Sequence, residues 1–234
     1  MRGASVRWLA FGAVLPLALF AANSASANKI RTKPADQAQA KSALLKLSDL
    51  PTIAQWKKAP PDSPKADDTS FSCAGFHPKE SDLVTTGDAS SSFTAPGTFV
   101  GSEVTILSTE QMVRLDWSRS FTSQLLPCLK HVFGKALKGT KISSVKRVSF
   151  PHMGDQSMEY RIDYGVTVNG RSVHGALDLV VVASGRAEVT LMLLANLGAA
   201  SQVSTGELGM SLIEQHLAAQ VVARLRPAPQ PLTA

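Results

Sequence analysis

Catalytic signatures are missing from this sequence. It has no G-x-S-x-G nucleophile elbow, no beta-lactamase motif set, and no H-x-x-x-H or H-E-x-x-H spacing. The stretch Gly134–Lys141 superficially resembles a phosphate loop. It puts Thr140 before Lys141 where that loop needs lysine first, and it follows a predicted helix rather than a strand. No catalytic residue, cofactor site or metal site is therefore expected from motifs, although a site assembled from distant residues would leave no motif.

Cysteine is scarce too: Cys73 and Cys128 are the only two. After residue 27 there is no Asn-x-Ser/Thr acceptor, so glycosylation through that sequon is not expected. There is one long apolar run, Trp8–Phe20, flanked by Arg2 and Arg7 and followed by the small-x-small pattern Ala25-Ser26-Ala27. These features predict an export signal over residues 1–27, since the run is too short for a spanning helix of ~20 residues. Retention as an anchor is the alternative. No second apolar run approaches spanning length, so no transmembrane segment is expected after cleavage. The expected location is secreted, or extracytoplasmic.

An even cysteine count in an oxidising compartment predicts one disulfide, Cys73–Cys128. Two readings compete with it. A metal site would start from Cys73 and His77 but needs about four ligands. A catalytic thiol would need a base that the sequence does not identify.

Net charge is +6, and losing Arg2 and Arg7 with the signal lowers it further. That balance is too mild for a nucleic-acid binder. Acids are absent between Asp116 and Asp155, where Arg119, Lys130, Lys135, Lys138, Lys141, Lys146 and Arg147 accumulate. An anionic polymer is the partner such a zone would attract. Lys130 and Lys135, however, stand roughly 140° apart around a helix, which favours an ordinary solvated surface.

Periodicity predicts a short polar leader over 28–33 and a single domain over 34–226. A disordered tail is expected over 227–234. Pro34 starts a helix carrying Ala38, Leu44, Leu45 and Leu47, which ends near Ser48 ahead of Pro51. Trp56 reads as a core anchor, and Lys57–Ser72 as a surface loop. Strands follow at about 82–93 and 98–107 around the Pro96-Gly97 turn. Ser108 to Gln111 fits a capping box opening a helix with Val113, Trp117, Phe121 and Leu125 on one stripe, to be kinked or restarted at Pro127.

A strand at 142–150 is expected to join a closing meander. Asn169-Gly170 marks a hairpin whose register sets Ile162 opposite Leu177 and Arg161 opposite Asp178. The next turn, Ser184 to Arg186, is expected to use three residues, setting Leu179 opposite Leu191 and Val181 opposite Val189. A capping box at Ser204–Glu207 opens the last helix, with Leu208, Leu212, His216 or Leu217, Val221 and Leu225 on one side. The fold class is α+β: a mainly antiparallel sheet of about six strands with helices against it, in the order α-β-β-α-β-β-β-β-α. His77, His152, Asp155 and Arg161 lie in or beside loops and are the candidate ligand-binding residues.

The layout of Ser48-Asp49-Leu50-Pro51, Trp56, Cys73, Cys128 and a closing meander resembles the PknH-like sensor and LpqN-like exported bacterial domains, which have a Mog1/PsbP-like fold. The resemblance implies a non-catalytic domain of the bacterial cell envelope that binds a ligand or protein. A kinase region and a second cysteine pair, typical of the sensor pattern, are not found here. Two other readings remain: a secreted hydrolase-like enzyme with a site built from loops, and a structural envelope component.

Overall fold

The computed structural model of the chain describes residues 29–52, 54–59, 73, 75–136, 140–168, 171–198 and 203–225. The expected export signal, the tail, most of the Pro-rich loop, Lys138 and the Asn169-Gly170 turn lie outside the described residues. The first half holds β1 (Lys29–Ile30), α1 (Pro34–Ala43), β2 (Lys57–Lys58), β3 (Val84–Ala95), β4 (Thr98–Leu107) and α2 (Glu110–Ser120). The second half holds α3 (Leu125–Ala136), β5 (Thr140–Val148), β6 (Gln156–Val168), β7 (Arg171–Ser184), β8 (Ala187–Gly198) and α4 (Val203–Leu225).

Eight strands form one sheet in the order β1-β3-β4-β8-β7-β6-β5, with β2 also on β3. Every pairing is antiparallel except β1 with β3. The class is α+β, as the sequence predicts. Residues 28–33 are more than a polar leader, however: Lys29 and Ile30 pair with Val84 and Thr85. Strands of two residues carry no readable periodicity. No helix among the described residues is long and apolar enough to cross a membrane.

Both faces of the sheet are covered. Cys73, Phe76, Val113, Trp117, Leu125, Leu129 and Phe133 pack on one face, from α2, α3 and the segment before β3. Ala40, Ala43, Met210, Leu217, Val221 and Leu225, from α1 and α4, pack on the other. The interior strand β7 sends Leu177, Val181 and Ala183 to the α2–α3 side and Ala176, Val180 and Val182 to the α1–α4 side. Burial on both faces is why it reads as a near-continuous apolar run.

Local chemistry sets the ends of the helices. α1 stops at Ala43, before the expected Ser48, and Leu45 turns inward while Leu47 stays exposed. Trp56 is half-buried and donates from Nε1 to the Pro51 carbonyl at 3.1 Å. The N-cap of α2 is Thr109, whose hydroxyl accepts from the Met112 amide at 3.2 Å. The expected long helix leaves helical geometry at Phe121 and restarts at Leu125. Pro127 has no N–H and its ring would clash with the carbonyl four residues back, so it is tolerated only in a first turn.

The hairpin register agrees with expectation across β6 and β7: Ile162 faces Leu177 and Arg161 faces Asp178. The next turn does not. Only Gly185 and Arg186 lie between the paired residues Ser184 and Ala187, so Leu179 faces Met192 and Val181 faces Thr190. Gly185 takes a left-handed φ of 59°. Arg186 is held by Asp36 on α1 (3.0 and 2.7 Å) and by the Leu107 carbonyl (3.2 Å). A one-residue shift turns every side chain of β8 to the opposite face. In α4, likewise, Leu212 is exposed and Glu214 is buried.

Near the β1 edge, α1 sits close on β3. A Cβ on Gly87 would lie 2.5 Å from the Asp36 backbone, so glycine alone permits the approach. The Gln37 side chain then donates to the Asp88 carbonyl (2.6 Å) and accepts from its amide (3.2 Å). These bonds satisfy an edge that would otherwise be open and fix Asp88 in place.

Candidate functional site: an acid-lined cavity beneath two short helices

The α2–α3 layer does not close completely on the sheet. Between them lies a cavity of about 180 Å³. Its floor is the sheet: Asp88 from β3, Glu103 and Thr105 from β4, Glu188, Thr190 and Met192 from β8, and Leu179 and Val181 from β7. Its roof is Asp116 and Ser120 of α2 and Phe121 at its C-cap, with Leu125, Leu129 and Phe133 of α3. Phe76, Pro78 and Glu80 form a side wall. Ile30, Thr32 and Asp88 are exposed and mark the mouth at the β1–β3 edge.

Register explains why these residues meet. Glu103 stands opposite Thr190, and Thr105 opposite Glu188. Glu103 and Glu188 are therefore diagonal neighbours on one face, with backbones about 7–8 Å apart. Thr105 also donates to the Asp88 carboxylate at 3.2 Å, and Ser120 to Asp116 at 2.8 Å.

The electrostatics are unusual for a core. Glu103 is only 6% exposed, and its Oε2 has no hydrogen-bond partner. Burial pushes its carboxyl well above the usual range, and the charge of Asp88 adds to the shift. Glu188 is raised as well, first by burial, then by the charge of Asp116 and a hydrogen bond to it, then by Glu80. Its Oε1 also has no partner. Two carboxylates cannot hydrogen-bond each other, so a Glu188–Asp116 hydrogen bond requires a proton on the pair. Five carboxyls thus line the cavity, and no lysine, arginine or histidine among the described residues does.

A second acid cluster lies across the sheet, under α4. Glu159, Asp178 and Glu214 bring carboxylate oxygens within 4.8 Å of one another, a spacing a metal ion accepts. A cation is already in place there. Arg161 donates from Nε and Nη2 to the two Asp178 oxygens, each at 2.7 Å, and approaches Glu159 at 3.7 Å. Both Glu214 oxygens lack a donor, and burial beside Asp178 and Glu159 raises its carboxyl far above its ordinary value. A proton on Glu214 serves Asp178, while Glu159 Oε2 is left without a donor.

The structure separates the four residues proposed from sequence. Arg161 is buried on the α4 side as the counter-ion just described. His152 and Asp155 are exposed in the β5–β6 loop, where Asp155 accepts from the Gly185 amide at 2.6 Å and so braces the next turn. His77 is exposed between two cavity residues, Phe76 and Pro78. Cys73 and Cys128 form a disulfide, with Cα atoms 5.4 Å apart. The basic zone divides. Lys130 and Lys135 are exposed on α3. On β5, Lys146 faces the same side as Arg161, and Arg147 the opposite side with Tyr160. Lys146 also pairs with Asp163 at 3.2 Å.

Sequence reasoning missed the cavity because its acids come from four elements and the connecting segment. A usable signal was present: the one-residue register choice at Gly185 decides whether Glu188 and Thr190 join Leu179 and Val181 on one face. Comparison with known proteins adds little. No family model matches the chain, and no curated protein does. Among solved structures, a Pseudomonas aeruginosa protein of unknown function aligns over 56% of this chain and 82% of its own. At 10% identity and a TM-score of 0.31, that likeness carries no argument.

Proposed function

We propose that this chain is an exported, non-catalytic binding domain and that its ligand sits in the cavity between the α2–α3 layer and the sheet. One observation carries the reading: Glu103, nine-tenths buried and with one carboxyl oxygen lacking any partner, lines a cavity that opens to solvent. Buried polar atoms in folded proteins are almost always satisfied, so an orphan lining a cavity points to something that binds there. The lining gives one side of the ligand an apolar surface and the other a row of carboxyls. The disulfide and the N-terminal export signature support an extracytoplasmic location. The resemblance to exported bacterial envelope domains agrees with binding rather than catalysis.

The test is native mass spectrometry of the protein purified from its own source, beside a Thr190→Trp variant that fills the cavity. A small molecule retained by the natural protein and absent from the variant supports the reading. Equal ligand content in the two, or chemical turnover of the bound compound, overturns it.

A further inference from the structure

The pattern of ion pairing across the fold says which ligand the cavity takes. Where this chain buries an aspartate elsewhere, it supplies an arginine: Arg186 for Asp36, Arg224 for Asp49 and Arg161 for Asp178. Each is a two-point guanidinium–carboxylate contact, the strongest arrangement such a pair can adopt. The cavity has no such partner. Glu103 is buried and Glu188 half-buried, each with an orphan oxygen, Asp88 and Asp116 stand near them, and no basic side chain among the described residues reaches in.

We propose that the missing partner is the ligand: a small amphipathic organic amine, its ammonium held by Glu103 and Glu188 and its apolar part against Leu179, Met192, Phe121 and Leu129. This inference rests on the cavity being the binding site and adds the ligand's chemical class. A primary ammonium carries three donors and can serve several carboxylate oxygens at once. A bare divalent metal fits less well. Among the described residues, only Glu159, Asp178 and Glu214 converge closely enough to coordinate one. The apolar walls also favour an organic body. Size sets a limit: a cavity of about 180 Å³ is close to the ~150 Å³ void that admits benzene. The amine therefore has on the order of ten heavy atoms.

Binding an ammonium requires ionised carboxylates. Glu103, Glu188, Asp116, Asp88 and Glu80 are the titratable groups facing the cavity from β4, β8, α2, β3 and the connecting segment. Burial raises the carboxyls of both Glu103 and Glu188, so ionising them for an ammonium releases protons, and affinity rises with pH.

Three matched probes test this by titration calorimetry at pH 7: 2-phenylethylamine, 2-phenylethanol and phenylacetate. The amine is expected to bind at least tenfold more tightly than the alcohol, and phenylacetate not at all. Heats in buffers of different ionisation enthalpy should show proton release for the amine alone. Glu103→Gln should lower amine affinity at least tenfold, while Glu110→Gln, exposed outside the cavity, should leave it unchanged. If the alcohol or phenylacetate binds as well as the amine and Thr190→Trp abolishes that binding, the amine class is wrong and the cavity reading stands. If no probe binds, or Thr190→Trp binds like the natural protein, the cavity reading falls and the amine with it.

Discussion

Arg161 and Asp178 face each other across the β6–β7 ladder and are joined by two hydrogen bonds of 2.7 Å, both side chains buried. Removing one partner strands a charge in the core. Arg161→Met is expected to destabilise the fold by about 3–5 kcal/mol, the range for a broken buried pair. The double replacement Arg161→Met with Asp178→Leu should recover most of that loss. Urea denaturation of the three proteins measures it. A loss below ~1 kcal/mol for the single variant would show that the pair contributes little.

Glu214 governs how stability responds to pH. Its carboxyl is raised by burial, by a hydrogen bond to Asp178 and by nearby negative charge, so the folded chain binds a proton there that the unfolded chain releases above its ordinary value of 4.5. Stability from this group is complete below that value and declines as pH rises beyond it. Glu159 shifts in the same direction, also chiefly through burial. Glu214→Gln keeps a donor for Asp178 and cannot ionise. Denaturant midpoints taken from pH 5 to pH 9 should fall for the natural protein and fall less steeply in the variant, which keeps Glu159, Glu103 and Glu188. Parallel slopes in the two would refute the assignment.

Glu103 should trade stability for binding. An orphan carboxyl in a core costs about 1–3 kcal/mol relative to a satisfied or apolar group. Glu103→Met is accordingly expected to raise thermal stability by roughly that amount and to abolish ligand retention. Thermal unfolding paired with native mass spectrometry tests both halves. A destabilised Glu103→Met would mean the acid serves the fold rather than a ligand.

The sequence made the β6–β7 hairpin legible because two independent signals agreed. Asn169-Gly170 set the loop, and the register it implied put Arg161 against Asp178 and Ile162 against Leu177. β8 offered no such check. Val189, Leu191 and Leu193 face α4, while Met192 and Leu194 face α3. A strand buried on both faces has no polar side to orient it. A turn one residue shorter than expected therefore turns Glu188 to the face opposite the one that a three-residue loop implies. Glu214 lies off the expected stripe of Leu208, Leu212, Val221 and Leu225, and only the facing Arg161 and Asp178 explain an acid in the core there. The edge strands β1 and β2 were too short to register as strands.

The disulfide is expected to contribute roughly 4 kcal/mol, since it closes a loop of 55 positions in the unfolded chain. Replacing both cysteines with serine should lower the denaturant midpoint by a corresponding amount without changing the sheet signal in circular dichroism. A midpoint within error of the natural protein would remove the bond from the account of stability.

The position of that bond matters beyond its energy. Cys73 opens the segment that carries Phe76 and Pro78 on the cavity's side wall, and Cys128 lies between Leu125 and Leu129 on its roof. The bond is a covalent strut that sets how far apart wall and roof stand. While the thiols remain reduced, the wall keeps its tie to α2 through Arg119, which donates to the Lys79 carbonyl and the Asp82 carboxylate, but loses its covalent link to α3. Under the proposed export and binding, the strut is in place only after oxidation, and ligand capture is expected to follow it. Affinity for 2-phenylethylamine measured before and after mild reduction, with the fold monitored throughout, would show that dependence directly.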